Sequence, residues 1–449
     1  MEPGTRKPGT VPPVRSGFSL AHYIAKVDQV DTTPPAGRVI RTVGLLIESA
    51  GPRAKVGEIC EINGSVDAPP LPVQVVGFRE GTLLTVPLGD TAGVRPGDRI
   101  VARAGAVSVG VGPGLLGRVI DALGRPLDGL PLRTDARYPL FPAPLNPMDR
   151  EPVVAPLGTG VRALDAMLTC GRGQRIGLFG GSGVGKSTLL GMITRGTAAD
   201  VIVMALVGER GREVRSFIDH DLGPEGMRKA VVVVSTSDNP PLLRMRAAYA
   251  ATSIAEYFRD QGKHVLLLMD SVTRFAMSQR EVGLAAGEPP TTKGYTPSVF
   301  ALLPALLERA GGVRGRGSVT GMYTVLVDGD DHNEPVADAV RSILDGHVVL
   351  ARDLAARHHY PPIDVLQSVS RTMPDVTGVH HRRKAGQVRE WMAAIRDSED
   401  LVSVGAYVQG SNPRIDEARA KRDVIEAFLC QDAGSLCSFP DAVTSLEAL

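Results

Sequence analysis

The chain has 449 residues, and because domains commonly hold about 100 to 200 residues, this length predicts two to four domains. Its 50 lysines and arginines nearly balance its 49 aspartates and glutamates, which excludes a global charge that would attract nucleic acid or an anionic membrane. Four cysteines without a CxxC pair indicate a reducing compartment, and no apolar run approaches the about 20 residues of a bilayer span, so the sequence predicts a cytoplasmic chain without a transmembrane segment.

Residues 1–30 are predicted to form a disordered tail followed by a short amphipathic helix. The first 17 residues include seven prolines and glycines, a composition that buries too little apolar area to become ordered. Leu20, Ile24 and Val27 then recur near helical spacing, with Ser19 placed to cap the helix. Two interpretations stay open: the helix packs on its own chain, or it docks a partner or a membrane.

Short β-rich runs follow over residues 31–102. RVIRTVGLLIE, PVQVVGF and DRIVARA are separated by turns rich in glycine, proline and aspartate. This texture is typical of a small barrel or sandwich, and we expect an N-terminal β-barrel.

Residues 103–372 change to long apolar runs that alternate with helical stretches. RIGLFG, DVIVMALVG and HVLLLMD are apolar on both faces, which indicates a parallel sheet covered by helices. Beyond about Met373 the strand runs stop and helical patterns take over. The sequence therefore predicts an α/β core followed by a C-terminal helical domain over residues 373–449.

A glycine-rich loop inside this core carries the strongest chemical signal. The string GGSGVGKS from Gly180 to Ser187 matches GxxxxGK[ST] and lies between a predicted strand and a predicted helix. Its backbone N–H groups and the helix N-terminus can hold phosphates, Lys186 can reach the β- and γ-phosphates, and the Ser187 hydroxyl can bind Mg²⁺. The loop predicts an ATP site with Mg²⁺, whose nucleotide contacts are Gly181, Ser182, Gly183, Val184, Gly185, Lys186, Ser187 and Thr188.

Two carboxylates follow other buried strands of the core. Asp270 ends HVLLLMD, where a carboxylate beside the loop can hold a magnesium-bound water. Glu209 ends DVIVMALVGE and is the candidate that orients the attacking water. The alternative for each is a solvated turn residue.

These strings resemble the catalytic subunits of rotary ATPases, and especially the ATPases of type III protein export, from about Arg38 to about Gln431. The most specific are GGSGVGKST, ALVGERGREV, LLLMDSVTRFAMSQREVGLAAGEPP and KGYTPSVFALLPALLERAG. The resemblance implies a RecA-like P-loop ATPase core, preceded by a small N-terminal β-barrel and followed by a C-terminal helical domain.

The resemblance also implies roles for four further side chains. Arg210 would touch the γ-phosphate, and Arg371 in SVSR resembles the arginine finger that reaches into a neighbouring subunit's site. Tyr360 resembles the aromatic that stacks on adenine, and Tyr407 a second wall of that pocket. Since one chain carries both Glu209 and Arg371, we expect a self-sufficient homohexamer.

Further partners are implied in the same way. GLAAGEPPTTKGYTPS resembles the loop that faces the ring's central channel, which receives a coiled-coil stalk protein. The amphipathic N-terminal region would dock a regulator protein and the export gate membrane proteins, and chaperone–substrate complexes would be the cargo. These partners would place the protein at the inner face of the cell membrane. The alternative for the glycine- and proline-rich segment is an ordinary surface loop.

Several functions fit the resemblance. The sequence KGYTPSVFALLP favours flagellar export over the virulence injectisome, which stays open as the alternative. A subunit of a proton-translocating synthase is disfavoured because the long acidic C-terminal segment is missing. A ring helicase would need a basic, aromatic-lined groove, whereas the barrel segment has one aromatic residue, Phe78, so no nucleic acid partner is expected.

Overall fold

The computed structural model describes residues 35–64, 69–103, 105, 107–327, 331 and 334–449. The tail and amphipathic helix expected over residues 1–30 lie outside these described residues. Within the described ranges, no helix has both the length and the hydropathy needed to cross a bilayer. A barrel, an α/β core and a helical region follow one another along the chain, which confirms the predicted fold class.

The N-terminal part is built from six short strands. They are β1 (Ala36–Val43), β2 (Leu46–Ala50), β3 (Ile59–Asn63), β4 (Leu71–Arg79), β5 (Thr82–Pro87) and β6 (Arg99–Ala102). They pair in the order β1-β2-β5-β4-β3-β6 and close into a barrel, so every described strand has two neighbours. The interior is filled by Val39, Ile47, Cys60, Ile62, Val73, Val75, Leu83 and Ile100.

The remaining strands belong mainly to the core. They are β7 (Ser108–Val111), β8 (Arg118–Asp121), β9 (Ala136–Pro139), β10 (Arg150–Glu151), β11 (Arg175–Gly180), β12 (Val201–Glu209), β13 (Ala230–Thr236), β14 (His264–Asp270), β15 (Gly311–Val313), β16 (Ser318–Leu326), β17 (Gly346–Leu350) and β18 (Ile363–Ser370). The main sheet has the order β18-β17-β11-β16-β14-β12-β13-β8. Its neighbours are parallel except β17 and β18, which are antiparallel.

Helices surround this sheet. They are α1 (Arg162–Met167), α2 (Lys186–Gly196), α3 (Gly211–Ser216), α4 (Gly223–Met227), α5 (Pro241–Asp260), α6 (Val272–Ala286), α7 (Pro297–Leu307), α8 (Pro335–Ile343) and α9 (Arg352–Ala356). Alternate residues of β12 face two separate cores: Val203 packs in the cluster that includes α5, and Met204 in the cluster that includes α2. Burial on both faces explains why this strand reads as a continuous apolar run.

The C-terminal region is helical, as predicted. It contains α10 (Met373–Val376), α11 (Val379–Ser403), α12 (Pro413–Leu429) and α13 (Phe439–Glu447). Trp391 of α11 and Phe428 of α12 share one hydrophobic cluster with Leu189 of α2. The C-terminal helices are packed against α1, where Arg162 Nε also donates to Phe428 O.

Candidate nucleotide site

The glycine-rich loop joins the end of β11 to the start of α2. Gly183 and Gly185 have φ values of +80° and +90°, a region that L side chains rarely adopt, so glycine is required for this turn. Val184 is buried beneath the loop and anchors it to the core. Since α2 begins at Lys186, its free N–H groups and its dipole face the space above the loop.

Lys186 and Asp270 meet beside this loop. The Lys186 Nζ donates a hydrogen bond to Asp270 Oδ1 over 2.7 Å, and both side chains are largely buried. Thr324, on the neighbouring strand β16, donates its hydroxyl to the same carboxylate oxygen at 2.7 Å. No sequence motif points to Thr324, because it is the register between β14 and β16 that places it beside Asp270. Together these bonds fix the carboxylate at the end of β14.

Glu209 lies at the end of β12, in the same cleft. Burial raises the pKa of its carboxyl to about 7, and the negative charge of Asp270 contributes in the same direction, whereas Lys186 opposes it. A carboxyl with a pKa near neutrality can exchange a proton at physiological pH, as a group that assists an attacking water must.

The cleft around these residues has a volume of about 580 Å³. Arg210 lines it and donates from Nη1 to Glu213 at 3.1 Å. Arg274 of α6 also lines it, packed against Gly208, where a Cβ would lie 3.1 Å from the Cβ of Arg274. The sequence analysis singled out neither Glu213 nor Arg274. The lining residues are Gly181, Ser182, Gly183, Gly185, Lys186, Ser187, Thr188, Gly208, Glu209, Arg210, Glu213, Ser237, Arg274 and Leu326.

Two side-chain oxygen groups in and beside this cleft suit a magnesium ion. Asp270 offers a carboxylate and Ser187 a hydroxyl, and Mg²⁺ prefers such oxygen ligands while keeping several waters. The described residues contain no cluster of three or more His, Cys, Asp or Glu side chains that could enclose a metal by themselves. The protein side chains therefore fit an ion that is completed by phosphate oxygens and water.

A second cleft of about 650 Å³ opens on the other side of the loop. Tyr360 forms part of it, with its ring placed so that a Cβ on Gly185 would lie 3.6 Å from Cε1. Residues 430–433, which follow α12, form the opposite wall, and Gln431 N donates to Tyr360 O at 2.8 Å. A half-exposed aromatic ring beside the loop can stack on a nucleobase.

The structure places Tyr407 elsewhere. Its hydroxyl donates to Asp416 Oδ1 at 3.0 Å, and the guanidinium of Arg419 lies over its ring. Tyr407 is absent from the described lining of the Tyr360 cleft, so the expected second wall is not formed by this residue here. The wall comes instead from the segment after α12, which the sequence analysis did not single out.

Arg371 lies at the opposite end of the sheet from its own loop. Because β18 runs antiparallel to β17, Ser370 pairs with Gly346 beside the start of β11. The loop follows the far end of β11, and the five steps of about 3.3 Å between its six residues separate the two ends by roughly 17 Å. Arg371 is exposed at this position. Its guanidinium therefore lies out of reach of its own phosphate loop.

The barrel, the P-loop core and the C-terminal helices define a class: nucleotide-hydrolysing enzymes built like ATP synthase subunits. Residues 160–370 match the ATP synthase alpha/beta family, nucleotide-binding domain. Residues 377–448 match the T3SS EscN ATPase C-terminal domain.

Individual relatives narrow the class. The chain is 53% identical over 435 residues to a flagellum-specific ATP synthase of Treponema pallidum, with 96% of each chain covered. It is 48% identical to a type 3 secretion system ATPase of Sinorhizobium fredii, covering 97% of this chain and 96% of that protein. The solved structure of the assembled ATPase EscN from enteropathogenic E. coli covers 91% of this chain and 98% of its own, with a TM-score of 0.86 and 44% identity. The chain belongs to the family of flagellum-specific and type 3 secretion ATPases, and it binds and hydrolyses ATP.

Proposed function

We propose that the chain hydrolyses Mg-ATP to drive the type III export of flagellar proteins, by releasing or unfolding substrates held by their chaperones. The observation that supports turnover is the contact of Lys186 with Asp270 at the phosphate loop, with Glu209 in the same cleft. The flagellum-specific relative that is 53% identical supports the export role. An injectisome ATPase is the alternative, supported by the type 3 secretion relative.

Each group in the cleft has a separate role in the proposed phosphoryl transfer. Backbone N–H groups from Gly181 to Thr188 bind the phosphates, and Lys186 turns from Asp270 toward the β- and γ-phosphate oxygens. Ser187 and Asp270 would hold Mg²⁺, which when bound would offset the negative charge of the phosphates. Glu209 aligns the attacking water and accepts its proton, while Arg210 leaves Glu213 for the γ-phosphate.

The position of Arg371 supports a homohexamer. An arginine at the end of the sheet opposite its own loop completes a site only when a neighbouring subunit presents its cleft. Such a finger contributes about 10³- to 10⁵-fold to the rate in related chemistry. EscN has been solved as an assembled ATPase, and also in complex with its central stalk EscO, at 43% identity to this chain. We propose a central coiled-coil stalk for this ring as well, facing residues 283–298.

Other partners are proposed on the resemblance alone. The regulator protein and the export gate would bind residues 1–30, and this contact would hold a cytoplasmic ring at the inner face of the cell membrane. We also propose that the chain is divided into an N-terminal segment of residues 1–30, a β-barrel of residues 31–102, an ATPase core of residues 103–372 and a helical domain of residues 373–449.

A complementation experiment tests the export role. The gene is deleted in its own bacterium, and secreted hook and filament proteins are measured after return of the wild type, Glu209→Gln or the matched control Glu225→Gln, whose side chain is exposed outside the cleft. Wild type and control should restore secretion and Glu209→Gln should not. Recovery of needle proteins in place of flagellar ones would favour the injectisome, and equal recovery with Glu209→Gln would contradict export driven by hydrolysis.

A further inference from the structure

Gln174 occupies a buried position at the base of β11, and none of its side chain is exposed. Its Oε1 accepts a hydrogen bond from Gly171 N at 2.8 Å. Its Nε2 donates to Asp345 O at 3.2 Å and to Ser370 Oγ at 3.1 Å. One amide therefore ties its own segment to two others that are distant in the sequence.

Two of these segments hold the backbone of Arg371. Arg371 N donates to Asp345 O at 2.9 Å, the same carbonyl oxygen that accepts from Gln174. The Asp345 carboxylate is fixed in turn by Arg175, which donates to it from its backbone N, Nε and Nη2, each at 3.0 Å. Ser370, which Gln174 contacts directly, is the residue before Arg371. The exposed arginine thus projects from a backbone that is held at Ser370 and at its own N–H.

We propose that Gln174, acting with Asp345, is a positioning residue for the Arg371 finger. This inference rests on the proposed role of Arg371 in a neighbouring subunit's site. An exposed arginine side chain has little packing of its own to aim it, so its aim depends on where its backbone is held. Since an error of about 1 Å at a reacting group can cost about 10²-fold in rate, a loosened anchor should slow hydrolysis without weakening ATP binding.

The anchor also connects two different nucleotide sites. Gln174 precedes the first residue of β11, and the glycine-rich loop follows its last residue. One six-residue strand therefore joins the loop that binds a subunit's own ATP to the finger that the subunit lends to its neighbour. The Gln174 anchor should act in trans, on the neighbour's turnover.

Gln174→Met tests this inference because it keeps the length of the side chain and removes its hydrogen bonds. We expect kcat to fall about 10- to 100-fold while KM for ATP stays within about twofold. Gln367→Met is the matched control: this glutamine lies on β18 near Ser370, is exposed, and its side chain donates to the carboxylate of the nearby Asp364. It should leave both constants unchanged. If Gln174→Met fails to fold, Ser370→Ala takes its place, since it removes one partner of the same amide.

Mixed rings separate a trans effect from damage to the subunit's own site. Gln174→Met subunits keep an intact loop, and Lys186→Ala subunits keep an intact finger. In a random equal mixture, about one site in four pairs the intact loop with the intact finger, so activity should rise above that of either parent. A mixture of Arg371→Ala with Lys186→Ala subunits shows how much activity is recovered when the finger itself is supplied by the other subunit.

The outcomes distinguish the two proposals. Recovery in both mixtures supports the anchor. Recovery with Arg371→Ala but not with Gln174→Met would show that Gln174 serves its own loop, which overturns this inference and leaves the finger in place. No recovery with Arg371→Ala would overturn the trans finger and the anchor with it. Unchanged kcat in Gln174→Met would also overturn the anchor.

Discussion

Glu209→Gln keeps the size of the side chain but removes the carboxylate beside the phosphate loop. Burial first, and the charge of Asp270 second, raise the pKa of Glu209 to about 7. The wild-type group is therefore about half ionised at neutral pH. If the ionised form accepts the proton of the attacking water, kcat/KM, which reports groups of the nucleotide-free protein, should rise as the pH passes about 7 and level off above it. The glutamine variant should lack this step.

The size of the effect follows from the role of the group. Loss of a general base typically costs about 10² to 10⁴ in rate, whereas phosphate binding depends on the loop and Lys186, so KM should change little. Steady-state ATP hydrolysis is measured between pH 6 and pH 9, with Glu225→Gln as the control for loss of a carboxylate outside the cleft. Turnover within about tenfold of the wild type, or a pH step that survives in the variant, would refute this reasoning.

Stability gives an independent readout of the same group. Because folding raises this pKa above its ordinary value of 4.5, the group stabilises the folded state fully below that value, and the contribution is lost as the pH rises toward 7. The glutamine of Glu209→Gln does not ionise, so this variant does not lose that stability. In urea unfolding, the free energy of unfolding of the variant should exceed that of the wild type by a margin that grows up to about pH 7 and then stays constant, at about 1 to 3 kcal/mol after allowance for partial exposure. Equal free energies of unfolding for the wild type and the variant at pH 8 would show that burial does not destabilise the ionised carboxylate.

Four further predictions concern the two clefts and the assembly. Lys186→Ala should weaken binding of a fluorescent ATP analogue about 10- to 100-fold through loss of a charged hydrogen bond, and unchanged affinity would show that the loop is misassigned. Asp270→Asn should shrink the difference in ATP affinity between Mg²⁺ and EDTA. Tyr360→Ala should raise KM for ATP about 10- to 100-fold with kcat preserved, whereas Tyr407→Ala should not; the reverse order would restore Tyr407 to the pocket. Specific activity should rise steeply with protein concentration, and a linear rate with no oligomer on sizing would contradict shared sites.

Much of the core could be predicted because its signals are local. The glycine spacing and Lys186 define the loop, and long apolar runs mark buried parallel strands. Parallel strands bring their carboxyl ends to one edge, which is why Asp270 and Glu209 could be assigned from where each strand stops.

The rest depends on pairings that no short stretch of sequence encodes. Thr324 reaches Asp270 through the register of β16 against β14, and Gln174 reaches Ser370 through the fold of three separate segments. The remote position of Arg371 follows from the antiparallel direction of β18, which its residues do not reveal. Tyr360 and Tyr407 were distinguished from core tyrosines only by resemblance, and the structure brings only Tyr360 to the loop.

The cleft beside Tyr360 has walls from two parts of the chain: the phosphate loop on one side and residues 430–433 on the other. A movement of the C-terminal helices relative to the core should therefore widen or narrow this cleft, in which we propose that the nucleobase binds. Thermodynamic linkage makes this effect reciprocal. If a protein that binds those helices changes the affinity for ATP by some factor, ATP must change the affinity for that protein by the same factor. We therefore expect that a partner bound to the helical region would bind with an affinity that changes as ATP is bound, hydrolysed and released.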